Sequence, residues 1–184
     1  MLRIFTTLRS YLIALYLKFN HISYGSIPKF SGYWPKFNNQ GRIILGKKCR
    51  FREYHIRQVI SVIDKDAILE IGEHCFLSDG VNICASKKIT IGAYTQLAPS
   101  VSIYDTDFHE IQEAQKVFQS EINIGRNTWI GQNTIIMPGV TIGDHTVIGA
   151  NSVVTKDIPS KVIAVGSPAR VIKNIICNDD WIRL

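Results

Sequence analysis

The stretch Ile-Gly-Arg-Asn-Thr-Trp-Ile-Gly-Gln-Asn-Thr-Ile-Ile-Met-Pro-Gly-Val-Thr-Ile-Gly-Asp-His-Thr-Val-Ile-Gly-Ala-Asn-Ser-Val-Val, residues 124–154, carries an aliphatic side chain at every sixth position: Ile124, Ile130, Ile136, Ile142, Ile148 and Val154. Glycine follows in four of these six cases (Gly125, Gly131, Gly143, Gly149), and a small or β-branched residue stands four places on (Thr128, Thr134, Val140, Thr146, Ser152). A period of six suits neither an amphipathic helix nor a simple alternating strand. It suits a short strand followed by a corner, repeated, with the aliphatic residue pointing into a narrow interior and the small residue filling the space beside it. Glycine at the corner is expected to supply backbone angles that a Cβ would oppose.

The template extends upstream. It fits Ile71-Leu77-Ile83, resumes after two extra residues as Ile91-Leu97-Ile103, and fits Leu45-Gly46 with Cys49 and, less regularly, Ile63. The predicted fold is mainly β: a repeat domain over 43–166, an N-terminal helical or irregular extension over 1–42, and a short tail over 167–184. The phase assigns Cys49 and Cys75 to the small inward slot, where packing outweighs redox chemistry. His74 and His145, in Ile-Gly-Glu-His and Ile-Gly-Asp-His, fall at equivalent corners and read as solvent-exposed turn histidines. Met137 and Pro138 complete a corner. With Cys84 and Cys177 the cysteines number four, form no Cys-x-x-Cys pair, and read as reduced thiols of a cytoplasmic protein.

At 184 residues, 46% hydrophobic and 20% charged, the chain describes one globular domain rather than a disordered or collagenous one. Its net charge of +6 is uneven: residues 1–60 hold 11 Lys/Arg against Glu53 alone, and the remainder holds 10 against 14 acids. Many aromatics, Tyr33, Trp34 and Phe37 among them, share the basic third. A basic aromatic end on a mildly acidic body points to an anionic partner or to a solvated face. Within 1–20, the apolar run Tyr11–Leu17 is too short to span a bilayer, and no small-residue cleavage site follows it. Phe5, Leu8, Leu12, Leu15, Tyr16 and Phe19 recur at helical spacing, which predicts an amphipathic helix packed on the protein or lying on a membrane.

The period fails between Ile103 and Ile124, and a loop that interrupts a rigid scaffold is a place for function. Asp105, Asp107 and His109 alternate there, so an extended backbone would project all three to one side. A carboxylate beside an imidazole fixes its tautomer and leaves the other nitrogen free to take a proton.

From about Ile71 to Lys173 the chain resembles the hexapeptide-repeat acyltransferases, in particular the galactoside and maltose acetyltransferases and the O-acetyltransferases of capsular and lipopolysaccharide sugars. The resemblance rests on Asn-Thr-Trp-Ile-Gly (127–131), Pro-Gly-Val-Thr-Ile-Gly (138–143), Val-Ile-Gly-Ala-Asn-Ser-Val-Val-Thr-Lys-Asp-Ile-Pro (147–159) and Val-Gly-Ser-Pro-Ala-Arg-Val-Ile (165–172). It implies a left-handed coil, which periodicity cannot set, and a homotrimer with active sites between neighbouring prisms. It implies His109 as general base, with Asp107 beside it, in transfer of an acetyl group from acetyl-CoA to a sugar hydroxyl, without a metal or a covalent enzyme intermediate. Backbone N–H groups near Gly131 and Gln132 would meet the oxyanion. Trp129 would stand near the cofactor, Ala150, Thr155 and Lys156 along its pantetheine and phosphate path, and Arg170 and Lys173 at its nucleotide end.

Two departures concern the acceptor. Where the family often has an acceptor-binding Asn this chain has Gly80, leaving Asp79 or Asn82 as substitutes, with Asp105 as a further acceptor contact; and Glu110 follows the histidine where Pro is common. The expected activity is O-acetylation in surface polysaccharide synthesis, by a cytoplasmic enzyme with room for peripheral membrane contact and no nucleic-acid partner. The competing readings are N-acetylation of a nucleotide-linked amino sugar, a metal-dependent carbonic anhydrase using His74, His109 and His145, and a non-catalytic binding solenoid.

Overall fold

The structure is a computed structural model that describes residues 2–183, with side chains from Leu8 onward. Strands of two to five residues coil about one axis, and each corner turns the chain onto the next of three sheets. Face A stacks Ile22–Tyr24, Arg42–Leu45, Ile68–Ile71, Lys88–Ile91, Ile122–Ile124 and Thr141–Ile142. Face B runs from Lys29–Gly32 through Arg50–Glu53, Phe76–Leu77, Gln96–Leu97, Trp129–Ile130 and Val147–Ile148 to Val162–Val165, and closes with Arg170–Asn174. Face C stacks Lys36–Asn39, Val59–Val62, Asn82–Ala85, Ser102–Tyr104, Ile135–Ile136 and Val153–Val154. All pairings are parallel except that of Arg170–Asn174, which returns antiparallel onto Val162–Val165.

The aliphatic positions stack in register, Leu45 on Ile71, Ile91, Ile124 and Ile142 along face A, and Leu77 on Leu97, Ile130 and Ile148 along face B. Face C stacks Phe37, Ile60, Ile83, Ile103, Ile136 and Val154, so Ile60 occupies the slot that the template gave to Ile63. The small residue four places on is a hydroxyl for a reason: Thr128 Oγ1 donates to the Gly125 carbonyl at 3.0 Å, Thr134 Oγ1 and Ser152 Oγ to that of Gly149 at 3.1 and 2.7 Å. Each such bond satisfies a corner carbonyl that the ladder leaves buried. Cys49 and Cys75 fill this slot with weak S–H donors to the carbonyls of Gly72 and Gly92, and burial pushes their thiols up to about 11 and about 12, away from thiolate chemistry.

The repeat glycines serve a different purpose from the one expected. Gly131 is not in a left-handed conformation; a Cβ there would meet the Ala150 nitrogen of the next coil at 2.6 Å, so coil spacing excludes a side chain. The left-handed corner positions fall to Lys48, His74, Tyr94, Asn127, His145 and Lys161, all with φ between 51° and 62°. Within this corner column His74 stacks on Tyr94 and Asn127 bonds His145, which leaves His74 half-buried and His145 buried.

The prism also begins earlier than residue 43: the strands within 22–39 form its first coil, with Ile22 on Ile43, Phe30 on Phe51 and Phe37 on Ile60. The predicted helix, Leu2–Phe19, closes this end by seating Ile13 and Leu17 on that coil. The face it buries shares only Tyr16 and the half-buried Leu15 with the predicted stripe. Leu8, Leu12 and Phe19 are exposed, Phe19 at 80%, while Phe5 lies outside the described side chains.

Candidate active site

The 104–121 excursion leaves face C after Ser102–Tyr104 and rejoins face A at Ile122. Its root is fixed: Thr106 bridges Gln119, the Asp107 N–H donates to the Phe118 carbonyl at 3.1 Å, and the Gln119 amide donates to Ser86 Oγ at 2.6 Å. Phe108 packs edge-on against Tyr104, with ring centroids 5.7 Å apart, so the loop is tied to the outer side of face C. Residues 108–116 are exposed, and His109 stands among them.

The common face expected for Asp105, Asp107 and His109 does not form: Asp105 is held inward by the preceding coil, and Phe108, at a φ of 63°, breaks the extended run before His109. Asp105 turns inward, where its two oxygens accept the N–H groups of Ser86 and Lys87 at 2.7 and 2.8 Å. Burial pushes its carboxyl above the usual range, and those turn N–H groups oppose the shift. It therefore anchors the loop and is withdrawn from the acceptor side. Asp107 meets His109 through its backbone carbonyl, which accepts the His109 N–H at 2.8 Å.

Of the two substitutes for the family asparagine, Asp79 is engaged: its Oδ1 accepts the N–H groups of Tyr54 and His55 at 2.6 and 2.9 Å, and Arg52 lies 3.8 Å from Oδ2. Burial would raise this carboxyl, but the two backbone bonds outweigh it and hold it below the ordinary value. Asn82 is half-exposed on the outward side of face C, in register with Ser102 one coil on. Gly80 turns the corner between them at φ 67°.

The residues assigned to the cofactor lie along the C-terminal half of the prism. Trp129 faces outward on face B between Gln96 and Val147 and is 45% exposed. The Gly131 N–H is already occupied in the ladder, donating to Ile148 at 2.8 Å, so Gly131 offers no oxyanion donor. Gln132 and Ala150 lie exposed on successive turns of the corner between faces B and C, where the Gln132 carbonyl accepts the Asn151 N–H at 2.8 Å. Thr155 and Lys156 are exposed at the corner between faces C and A, from which the His109 loop departs two coils earlier. Arg170 and Lys173 stand on the exposed closing strand. Trp129 and the root of the His109 loop thus occupy different parts of one protomer's surface.

His74 and His145 are not exposed turn residues. His74 stacks on Tyr94 with centroids 4.7 Å apart. His145 is 2% exposed beneath Trp181, and the Asn127 amide donates to its Nδ1 at 2.9 Å. The C-terminal tail is drawn into this cluster, since Asn127 also donates to the Trp181 carbonyl and accepts the Arg183 N–H, both at 2.8 Å. Three coil steps of about 4.8 Å separate the two histidines along the corner, so within one protomer they do not converge. Among the described residues no three His, Cys, Asp or Glu side chains are grouped to hold a metal ion. No motif marks a cleft of roughly 610 Å³ at the helix-capped end, lined by Tyr16, Gly32, Tyr33, Trp34, His55 and Arg57. Only the charge and aromatic content of the first third pointed toward it.

Comparison with known proteins follows the same lines. Residues 121–156 match the family described as bacterial transferase hexapeptide (six repeats). A galactoside O-acetyltransferase of Escherichia coli is 37% identical over 139 residues, which cover 67% of this chain and 68% of that one. The chain belongs to the hexapeptide-repeat acetyltransferases. Its coil is accordingly the left-handed parallel β-helix of that family. A Vibrio cholerae hexapeptide-repeat acetyltransferase solved with acetyl-CoA superposes with a TM-score of 0.57 at 26% identity, over 85% of this chain and 73% of the other. A galactoside acetyltransferase solved with coenzyme A superposes with a TM-score of 0.52 at 28% identity, over 81% and 64%. The chain spans about half to two thirds of the length of the curated relatives it matches.

Proposed function

We propose that this hexapeptide-repeat protein transfers an acetyl group from acetyl-CoA to a sugar hydroxyl of a surface glycan, with His109 as general base. The observation that carries the reading is the position of His109: exposed on the one long excursion from the coil, beside face C, where Asn82 and Ser102 offer hydrogen-bonding groups to an acceptor. The imidazole takes the hydroxyl proton as the oxygen attacks the thioester carbonyl; the C–O bond forms, the C–S bond breaks, and the proton passes to the departing thiolate. With Gly131 occupied, the Gln132 N–H is the donor of that pair left for the oxyanion. Trp129, Ala150, Thr155 and Lys156 line the donor path, and Arg170 and Lys173 supply charge for the nucleotide phosphates, a role to which the guanidinium fork is suited.

A homotrimer completes the site, because it brings the His109 loop of one protomer against the donor residues of the next. The outward stripe of the helix, Leu8, Tyr11, Leu12 and Phe19, gives the enzyme a peripheral hold on the inner membrane face; flotation with liposomes, before and after removal of residues 1–20, tests that part. No helix among the described residues is long and apolar enough to cross a membrane. The central test is thiol release from acetyl-CoA against a panel of neutral and acidic oligosaccharides. Sugar-dependent release that His109→Ala abolishes supports the reading, and undiminished release in that variant overturns the role of His109.

A further inference from the structure

We infer that the cleft at the helix-capped end binds an acidic sugar of the acceptor, so that the enzyme engages an anionic glycan chain stretched across face C rather than a single sugar. This rests on the glycan reading above and names its substrate class.

The cleft is built rather than incidental. Trp34 is held by Tyr16 and Phe30, with ring centroids 5.3 and 5.9 Å away, and the Tyr16 hydroxyl donates to the Pro35 carbonyl at 2.6 Å. Arg57 Nε–H donates to the Trp34 carbonyl at 3.2 Å, which fixes the guanidinium at the rim and leaves its other N–H groups for a carboxylate or phosphate. Asp79 sets the position of His55 through the backbone of that loop. Tyr33, 65% exposed, supplies an aromatic surface of the kind that packs on sugar rings. Two carboxylates act electrostatically near this rim. Glu53 is wholly buried beneath it and Asp79 is bound to Arg52 and the loop backbone, so neither lies open in the cleft.

Position relates the cleft to catalysis. Trp34 and Arg57 stand two residues before the face C strands Lys36–Asn39 and Val59–Val62, and the His109 loop departs from the far end of Ser102–Tyr104, three and two strand steps along the axis (roughly 15 and 10 Å) and across the width of the face. Between them the outward positions of face C form two rows, Lys36, Val59, Asn82 and Ser102, and Asn38, Ser61, Cys84 and Tyr104, polar apart from Val59 and the nearly buried Cys84. On the far side of the loop the outward positions become Ile135 and Val153. A polar track thus leads from His109 toward Arg57 and not the other way. The net +10 of residues 1–60, from 11 Lys/Arg and Glu53, gives that end the charge for an anionic chain.

Calorimetry of the full-length protein with tetragalacturonate and with maltotetraose tests this. His109→Ala protein is included, so binding is read apart from turnover. The expected result is tighter binding of the acidic tetramer, weakened about tenfold by Arg57→Gln and less by Tyr33→Ala, with wild-type melting temperatures. Equal affinity for the two tetramers, or no effect of Arg57→Gln, overturns the subsite even if sugars are acetylated. Acidic-tetramer binding without any sugar acetylation sustains the subsite and defeats the proposed function. Loss of binding to phosphatidylglycerol vesicles in Arg57→Gln, with tetragalacturonate affinity intact, reassigns the cleft to a lipid surface.

Discussion

The coils and the 104–121 loop are built on opposite terms. In the coils each residue is fixed several times over: Ile130 is held by register with Leu97 and Ile148, and Gly131 by its ladder bond and by the backbone of the coil beyond. In the loop only the root is fixed, and residues 108–116 extend into solvent. A scaffold stabilised by stacking therefore tolerates an exposed, polar insert, and stability and activity are expected to be separable in this molecule. Changes in the coil are expected to lower the melting temperature, and changes beyond the loop root to lower turnover.

The sharpest test is His109→Ala. General acid–base catalysis contributes about 10²–10⁴ in rate, so acetyl transfer falls by that factor, while the melting temperature and circular dichroism stay at wild-type values. A lowered melting temperature would break the separation. The reciprocal case is Ile130→Ala, which empties a fully buried slot of the interior. It costs about 2–5 kcal/mol by urea unfolding, with kcat per folded molecule retained. Asp105→Ala falls between the two. It strips the Ser86 and Lys87 N–H groups of their acceptor, at about 1–3 kcal/mol, and frees the loop root. Faster amide exchange at 86–87 and 105–120 should accompany a loss of turnover smaller than that of His109→Ala.

The same contrast explains what could be read from the sequence. Register is a property of the repeat, so the phase of Ile124 to Val154 placed the core of every coil it reached, and the slot of Cys49 and Cys75. It misassigned Ile63 because the 54–58 loop adds residues between Phe51 and Ile60, and a period cannot count an insertion it does not contain. The corner histidines were misread because stacking on Tyr94 and Trp181 is an inter-coil or tail contact without a local signature. Within the site, the loop and His109 were legible as a break in the pattern. The inward turn of Asp105 was not, since the Ser86 and Lys87 N–H groups that hold it belong to the preceding coil and leave no local signature. The helix was legible as a helix, but its buried face is set by the Phe30 and Phe37 coil beneath it, and its own period could not choose between Ile13–Leu17 and Leu8–Leu12.

The smallest predicted effect tests whether every coil is as well satisfied as those around Ile130. Glu53 points inward two places beyond Phe51, is 0% exposed, and both its oxygens lack a hydrogen-bond partner of good geometry. Burial raises its pKa, with help from Asp79, against the opposing pull of the Gln58 backbone and Arg57. A carboxyl raised in the folded state favours the protonated form there. Its contribution to stability is therefore full below the ordinary carboxylate value of about 4.3 and is lost as pH rises through the higher folded value. Glu53→Gln removes that titration. The wild-type protein should lose about 1 kcal/mol relative to the variant on going from acid to neutral pH, or about 2–4 °C in melting temperature. Parallel melting curves for the two proteins across that range would mean that the buried carboxyl is satisfied after all, and that the first coils are as rigidly specified as the last.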